Sequence, residues 1–92
     1  MRIFVTPTFD RAAKKLHRLQ KNELDAAVKI IVGDVHIGEE KVGDLAEIRV
    51  YKFRISNQLC LLSYRILDED SIKLLTIGSH ENFYRDLKRI EH

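Results

Sequence analysis

Apolar positions recur in different rhythms along the chain, and each rhythm predicts a kind of element. Ile3-Phe4-Val5 opens as a short β-rich run. Thr6-Pro7 stops it: Thr suits a helix N-cap, and Pro suits the first helical turn. Phe9, Ala12, Ala13, Leu16 and Leu19 then follow at helical spacing, with Arg11, Lys14, Lys15 and Arg18 on the opposite face. Gln20-Lys21-Asn22 interrupts the stripe, and Asn22 offers a cap for a second one built from Leu24, Ala27, Val28, Ile31 and Val35. The pattern predicts helices over residues 8–20 and 23–34, folded back as a hairpin and ended by Gly33-Asp34.

Beyond the Gly- and charge-rich stretch 38–44, which reads as a loop, the period changes to two. Ile48 to Ile55 alternates, Ser56-Asn57-Gln58 turns, and Leu59 to Leu67 is almost wholly apolar, as a central strand covered on both faces must be. Asp68-Glu69-Asp70 turns again before a last strand, Ile72 to Ile77. Gly78-Ser79 leads into a closing helix capped by Ser79, with Phe83, Leu87 and Ile90 on its buried face. Strands are expected near 2–6, 46–55, 59–67 and 71–77, and the last helix over 80–90. The order β-α-α-β-β-β-α describes an α+β fold in one domain, 1–92, with a mainly antiparallel sheet. Its core is expected to hold Phe9, Leu16, Leu24, Val28, Ile31, Leu62, Leu74 and Phe83.

Composition narrows the class. Ninety-two residues leave no room for a second domain. Sixteen Lys and Arg against fourteen Asp and Glu give a net charge of +2, which permits an anionic partner without demanding one. Cys60 is the one cysteine, so no internal disulfide forms and a reducing compartment is expected. Met1 to Val5 turns polar too soon for a signal peptide, and no apolar run is long enough to cross a membrane. The expected location is cytoplasmic, with no membrane partner.

Two places carry candidate chemistry. On the strand 48–55, parity puts Ile48, Val50, Lys52 and Arg54 on one face, changing from apolar to cationic along its length. Covering Ile48 and Val50 would leave Lys52 and Arg54 as a basic floor suited to a phosphate backbone. The plainer alternative is two long side chains snorkelling at a sheet edge. The second place is Gly78-Ser79-His80-Glu81-Asn82-Phe83-Tyr84. There His80 falls in a first helical turn, whose dipole lowers its pKa while a bound phosphate raises it. Such a histidine suits general acid–base catalysis. Tyr84 follows at i+4 on the same side. The alternative makes His80 a capping residue and Tyr84 a packing residue. Arg85, Lys88 and Arg89 form an exposed helix face or extend the basic rim. No metal-ligand spacing occurs among the histidines and Cys60, so neither a metal nor another cofactor is expected.

Three stretches resemble the RelE/ParE superfamily of bacterial toxins from type II toxin–antitoxin pairs. Phe9 through Leu19, with Lys14-Lys15-Leu16, resembles the family's first helix. Lys41-Val42-Gly43-Asp44-Leu45, running into Arg49-Val50-Tyr51-Lys52-Phe53-Arg54, resembles its Gly-Asx-Leu turn and basic strand. Leu61-Leu62-Ser63-Tyr64 and Ile77-Gly78-Ser79-His80-Glu81-Asn82-Phe83-Tyr84 resemble its central strand and C-terminal signature. The resemblance implies a microbial-RNase-like fold and, in the RelE/YafQ-like branch, metal-independent endoribonuclease action on mRNA in the ribosome, neutralised by a cognate antitoxin. It implies catalytic roles for His80, Tyr84, Lys52 and Arg54. RelE-type members carry an arginine where this chain has Leu61, so one cation is either missing or supplied elsewhere, by Arg49 or Arg65; YafQ-like members also lack this arginine and rely on histidines. Arg49, Arg65 and Arg85 make up the expected RNA-binding set. The ParE branch, which targets DNA gyrase without nuclease chemistry, is the alternative.

Overall fold

The computed structural model describes residues 1–79. Elements follow in the order β1 (Arg2–Val5), α1 (Pro7–Lys14), α2 (Arg18–Gly33), β2 (Glu39–Glu40), a 3₁₀ turn (Gly43–Leu45), β3 (Ile48–Ile55), β4 (Gln58–Asp68) and β5 (Ser71–Ser79). The strands form one sheet in the order β1-β5-β4-β3-β2. β1 runs parallel to β5, and the other pairings are antiparallel. β4 is flanked on both sides, the position its apolar run demands. The expected helix 80–90, with Phe83 in the core, lies outside the described residues.

Both helices cover one face of the sheet. Phe9, Leu24 and Ile31 pack there against Ile55, Leu62, Tyr64, Ile72 and Leu74. Leu16 and Val28, expected in the core, are half-buried at its margin. The opposite face carries a smaller buried cluster of Leu45, Ile48, Val50, Leu61 and Leu75. Consecutive residues Leu61 and Leu62 thus enter different clusters, which is why β4 shows no alternation. Leu75 joins the second cluster through an irregularity in the β4–β5 register, where Ser63 pairs with Thr76 but Tyr64 with Leu74. The extra residue on β5 is a β-bulge, and it turns Leu75 away from the helices.

The helices differ from the expected ones in where the first gives way to the second. Thr6 does cap α1, its hydroxyl accepting from Phe9 N–H at 3.0 Å, with Pro7 at the first helical position. A cap of this kind stabilises a helix by about 1 kcal/mol. The break, however, falls at residues 15–17 and not at 20–22. The Gln20 side chain reaches back to accept from His17 N–H at 3.1 Å, so α2 starts one turn earlier and Asn22 lies inside it. Leu16 sits in the connection, and Leu19, read as part of the first stripe, is 68% exposed. The stretch read as a loop holds two short elements, β2 and the 3₁₀ turn. β5 runs on to Ser79, so the residue expected to cap a helix ends a strand within the described part.

Candidate functional site

The alternation of β3 sets out two faces with different chemistry. Ile48 and Val50 are buried in the second cluster, while Lys52 and Arg54, further along the same face, are exposed. Among the described residues, Leu45 of the 3₁₀ turn is the cover that the non-strand segments supply to Ile48 and Val50. Lys52 stands opposite Leu61 on β4, and Leu61 opposite Gly78 on β5, so these three form one row across the sheet. At the usual strand spacing, Gly78 lies about 10 Å from Lys52. Among the described residues, nothing lies within 4 Å of a Cβ built on Gly78. Arg54 stands opposite Leu59, and its Nη1 donates to the Asn57 carbonyl at 3.0 Å in the β3–β4 turn. Neither Lys52 nor Arg54 has a carboxylate partner among the described residues.

The other expected cations are elsewhere. Arg49 faces the helix side of β3. Its Nη1 donates to the carbonyls of His36 at 3.1 Å and Gly38 at 2.8 Å, and its Nη2 lies 3.4 Å from Glu40 Oε2. Arg65 shares the face of Lys52 but stands opposite Ile48, four positions back along β3, about 13 Å away at strand rise. Arg49 and Arg65 border a cleft of about 520 Å³ that is also lined by Glu40 and Glu47, whose carboxylates offset the positive field there. Leu61, in place of the family arginine, is fully buried. The structure therefore brings Lys52 and Arg54 together and does not bring Arg49 or Arg65 to them. His80, Tyr84 and Arg85 lie outside the described residues.

One feature that sequence reasoning missed stands behind Arg49. The Tyr64 hydroxyl donates to the Val35 carbonyl at 2.7 Å and accepts from Gly38 N–H at 2.9 Å. Burial pushes the tyrosine pKa up. A Cβ on Gly38 would stand 2.8 Å from the Tyr64 ring, so this close approach requires glycine. Tyr64 and Arg49 together pin segment 35–40 to the sheet. A cleft of about 430 Å³ opens on the helix side, with Leu16, Ile55 and Ile77 for an apolar lining and Arg11 and Lys15 among its polar residues. It is on the face away from Lys52 and Arg54.

Comparisons with known proteins agree with this architecture. Residues 3–88 match the family model described as the ParE-like toxin of type II bacterial toxin–antitoxin systems. No curated protein sequence matches the chain. Among solved structures, an arginine-to-alanine double mutant of Escherichia coli RelE in the free state superposes with a TM-score of 0.71 at 18% identity, covering 96% of this chain and 95% of that one. The intact E. coli RelBE toxin–antitoxin complex matches with a TM-score of 0.68 at 18% identity, over 86% of this chain and 95% of that one. Isolated E. coli RelE gives 0.64 at 17% identity, with 96% of each covered. The five-stranded sheet with its two helices on one face is thus a RelE-like fold, and the chain belongs to the ParE-like toxins of type II toxin–antitoxin systems, within the RelE/ParE superfamily.

Proposed function

We propose that this toxin is a ribosome-dependent mRNA endoribonuclease that works without a metal. The observation that carries the reading is the pair Lys52 and Arg54: two exposed cations on the sheet face opposite the helices, with no carboxylate to neutralise them among the described residues. Such a pair suits a scissile phosphate, whose charge rises as the transition state forms. The 2′-oxygen bonds to phosphorus as its proton leaves to a base, and the bond to the 5′-oxygen breaks as that oxygen takes a proton. His80 is the proposed proton carrier, with Tyr84 in support; it follows Ser79, the last residue of β5, in sequence. His80→Ala should slow cleavage of ribosome-bound message by about 10²–10⁴-fold and relieve growth arrest. Tyr84→Phe should cost less, since only the hydroxyl is lost.

A cognate antitoxin is the proposed second partner, as the RelBE complex shows for RelE. The helix-side cleft, apolar with Arg11 and Lys15 beside it, suits an amphipathic segment with acidic flanks, and Lys52 and Arg54 offer it a second anchor.

Gyrase inhibition is the second reading. The family description favours it, as does buried Leu61 where RelE-type members have an arginine, with neither Arg49 nor Arg65 near enough to replace that charge. Induced expression separates the two. Loss of translation with cut transcripts supports the nuclease. Filamentation with a DNA-damage response, undiminished by His80→Ala, supports gyrase and overturns the nuclease.

A further inference from the structure

The β3–β4 connection is a two-residue turn, Ser56-Asn57, closed by the Ile55–Gln58 pair. Both residues have positive φ, 51° and 67°. Positive φ at both central positions is the pattern of a type I′ turn, which Asn-Gly fills with least strain; Ser in particular is a poor occupant. Something outside the hairpin has to hold it. Glu23, in α2, places a carboxylate oxygen 3.0 Å from Ser56 N–H, across 33 positions of sequence. The neighbouring Asn57 carbonyl takes the hydrogen bond from Arg54 Nη1. Helix layer and cationic face, which otherwise lie on opposite sides of the sheet, therefore meet at these two residues.

We infer that Glu23 is a positioning residue for Arg54: its carboxylate fixes the strained turn, and the turn carbonyl fixes the guanidinium. The inference deepens the nuclease reading and rests on it only for the activity readout. It is tested on the purified full chain with four proteins: wild type, Glu23→Gln, Glu23→Ala, and Glu23→Ala carrying Ser56→Asn and Asn57→Gly. Glu23→Ala should speed hydrogen exchange at the Ser56 amide about tenfold, while Glu23→Gln, which keeps an acceptor oxygen, should change it less. In cleavage of ribosome-bound message, Glu23→Ala should lower kcat about 10- to 100-fold with KM within about twofold. The Asn-Gly turn, stable by its own preference, should restore kcat without Glu23. Unchanged Ser56 exchange in Glu23→Ala overturns the inference, as does unchanged kcat, or a loss of kcat that the Asn-Gly turn does not repair. A wild-type protein that cuts no message defeats the nuclease reading instead. The Arg54 guanidinium resonances then decide the positioning. They shift in Glu23→Ala and return with the Asn-Gly turn if Glu23 acts as inferred, and stay in place if it does not.

Discussion

Arg49 and Arg54 belong to the same strand, yet their surroundings are opposite. Arg49 points to the helix side, donates to two carbonyls and meets a carboxylate, and its side chain is only 18% exposed. Arg54 points to the other side, is exposed, and among the described residues its guanidinium bonds to the turn that follows it. Arg49 completes the pinning that Tyr64 begins, so its charge is consumed in holding segment 35–40. Arg54 and Lys52 keep their charge available. Residue type therefore does not separate a structural cation from a functional one; the partners do.

The sharpest way to break this comparison is to remove each end in turn. Lys52→Ala with Arg54→Ala should lower toxicity by about 10²-fold or more while leaving stability within about 0.5 kcal/mol, since neither side chain is buried. RNA engagement should also lose part of its salt dependence. Growth assays beside urea denaturation check both halves, and a large stability loss would erase the distinction between the two ends.

The pinned end should respond in the reverse sense. Gly38→Ala forces a methyl group against the Tyr64 ring and should destabilise by about 1–3 kcal/mol. Tyr64→Phe leaves Gly38 N–H and the Val35 carbonyl without the hydroxyl and should cost a similar or slightly smaller amount, about 1–3 kcal/mol. Denaturant midpoints measure both, and antitoxin-free activity per folded molecule should stay close to wild type.

The smallest effect is in pH. The Tyr64 pKa is raised in the folded state, so that state binds its proton more tightly than the unfolded chain. Stability is then unaffected below the unfolded tyrosine pKa of about 10 and falls as pH rises through and above it. Thermal unfolding in alkaline buffers should show this decline in wild type and a shallower one in Tyr64→Phe. Equal slopes would mean that folding does not raise the pKa of the hydroxyl.

These contrasts also mark what the chain discloses before it is folded. Parity along 48–55 placed Lys52 and Arg54 on one face beyond Ile48 and Val50, because alternation is a local property of a strand. The apolar run of β4 located the sheet centre for a different reason, that both of its faces are covered, Leu62 in one cluster and Leu61 in the other. What parity could not disclose was the structural role of Arg49, whose bonds to the backbone carbonyls of 36 and 38 leave no trace in side-chain pattern. The helix boundary was missed because Leu16 and Leu19 continue the first stripe by spacing, while the deciding contact is the Gln20 side chain returning to His17. β2 pairs through the backbone of two glutamates, with no period to read. Glu23 and Ser56 meet only because the fold brings the first half of α2 and a hairpin tip together.

The parallel pairing of β1 with β5 joins Arg2 to Ser71 and Val5 to Leu74. During synthesis, β1 must wait for nearly seventy further residues before its partner exists, about 3–14 s at roughly 5–20 residues per second. β3 and β4, joined by a two-residue turn, can zip together as soon as they emerge. The β3–β4 hairpin can therefore form before β1 has a partner to pair with. For those seconds Ile3, Phe4 and Val5 have no strand to pair with, and an unpaired apolar segment is open to capture or to aggregation.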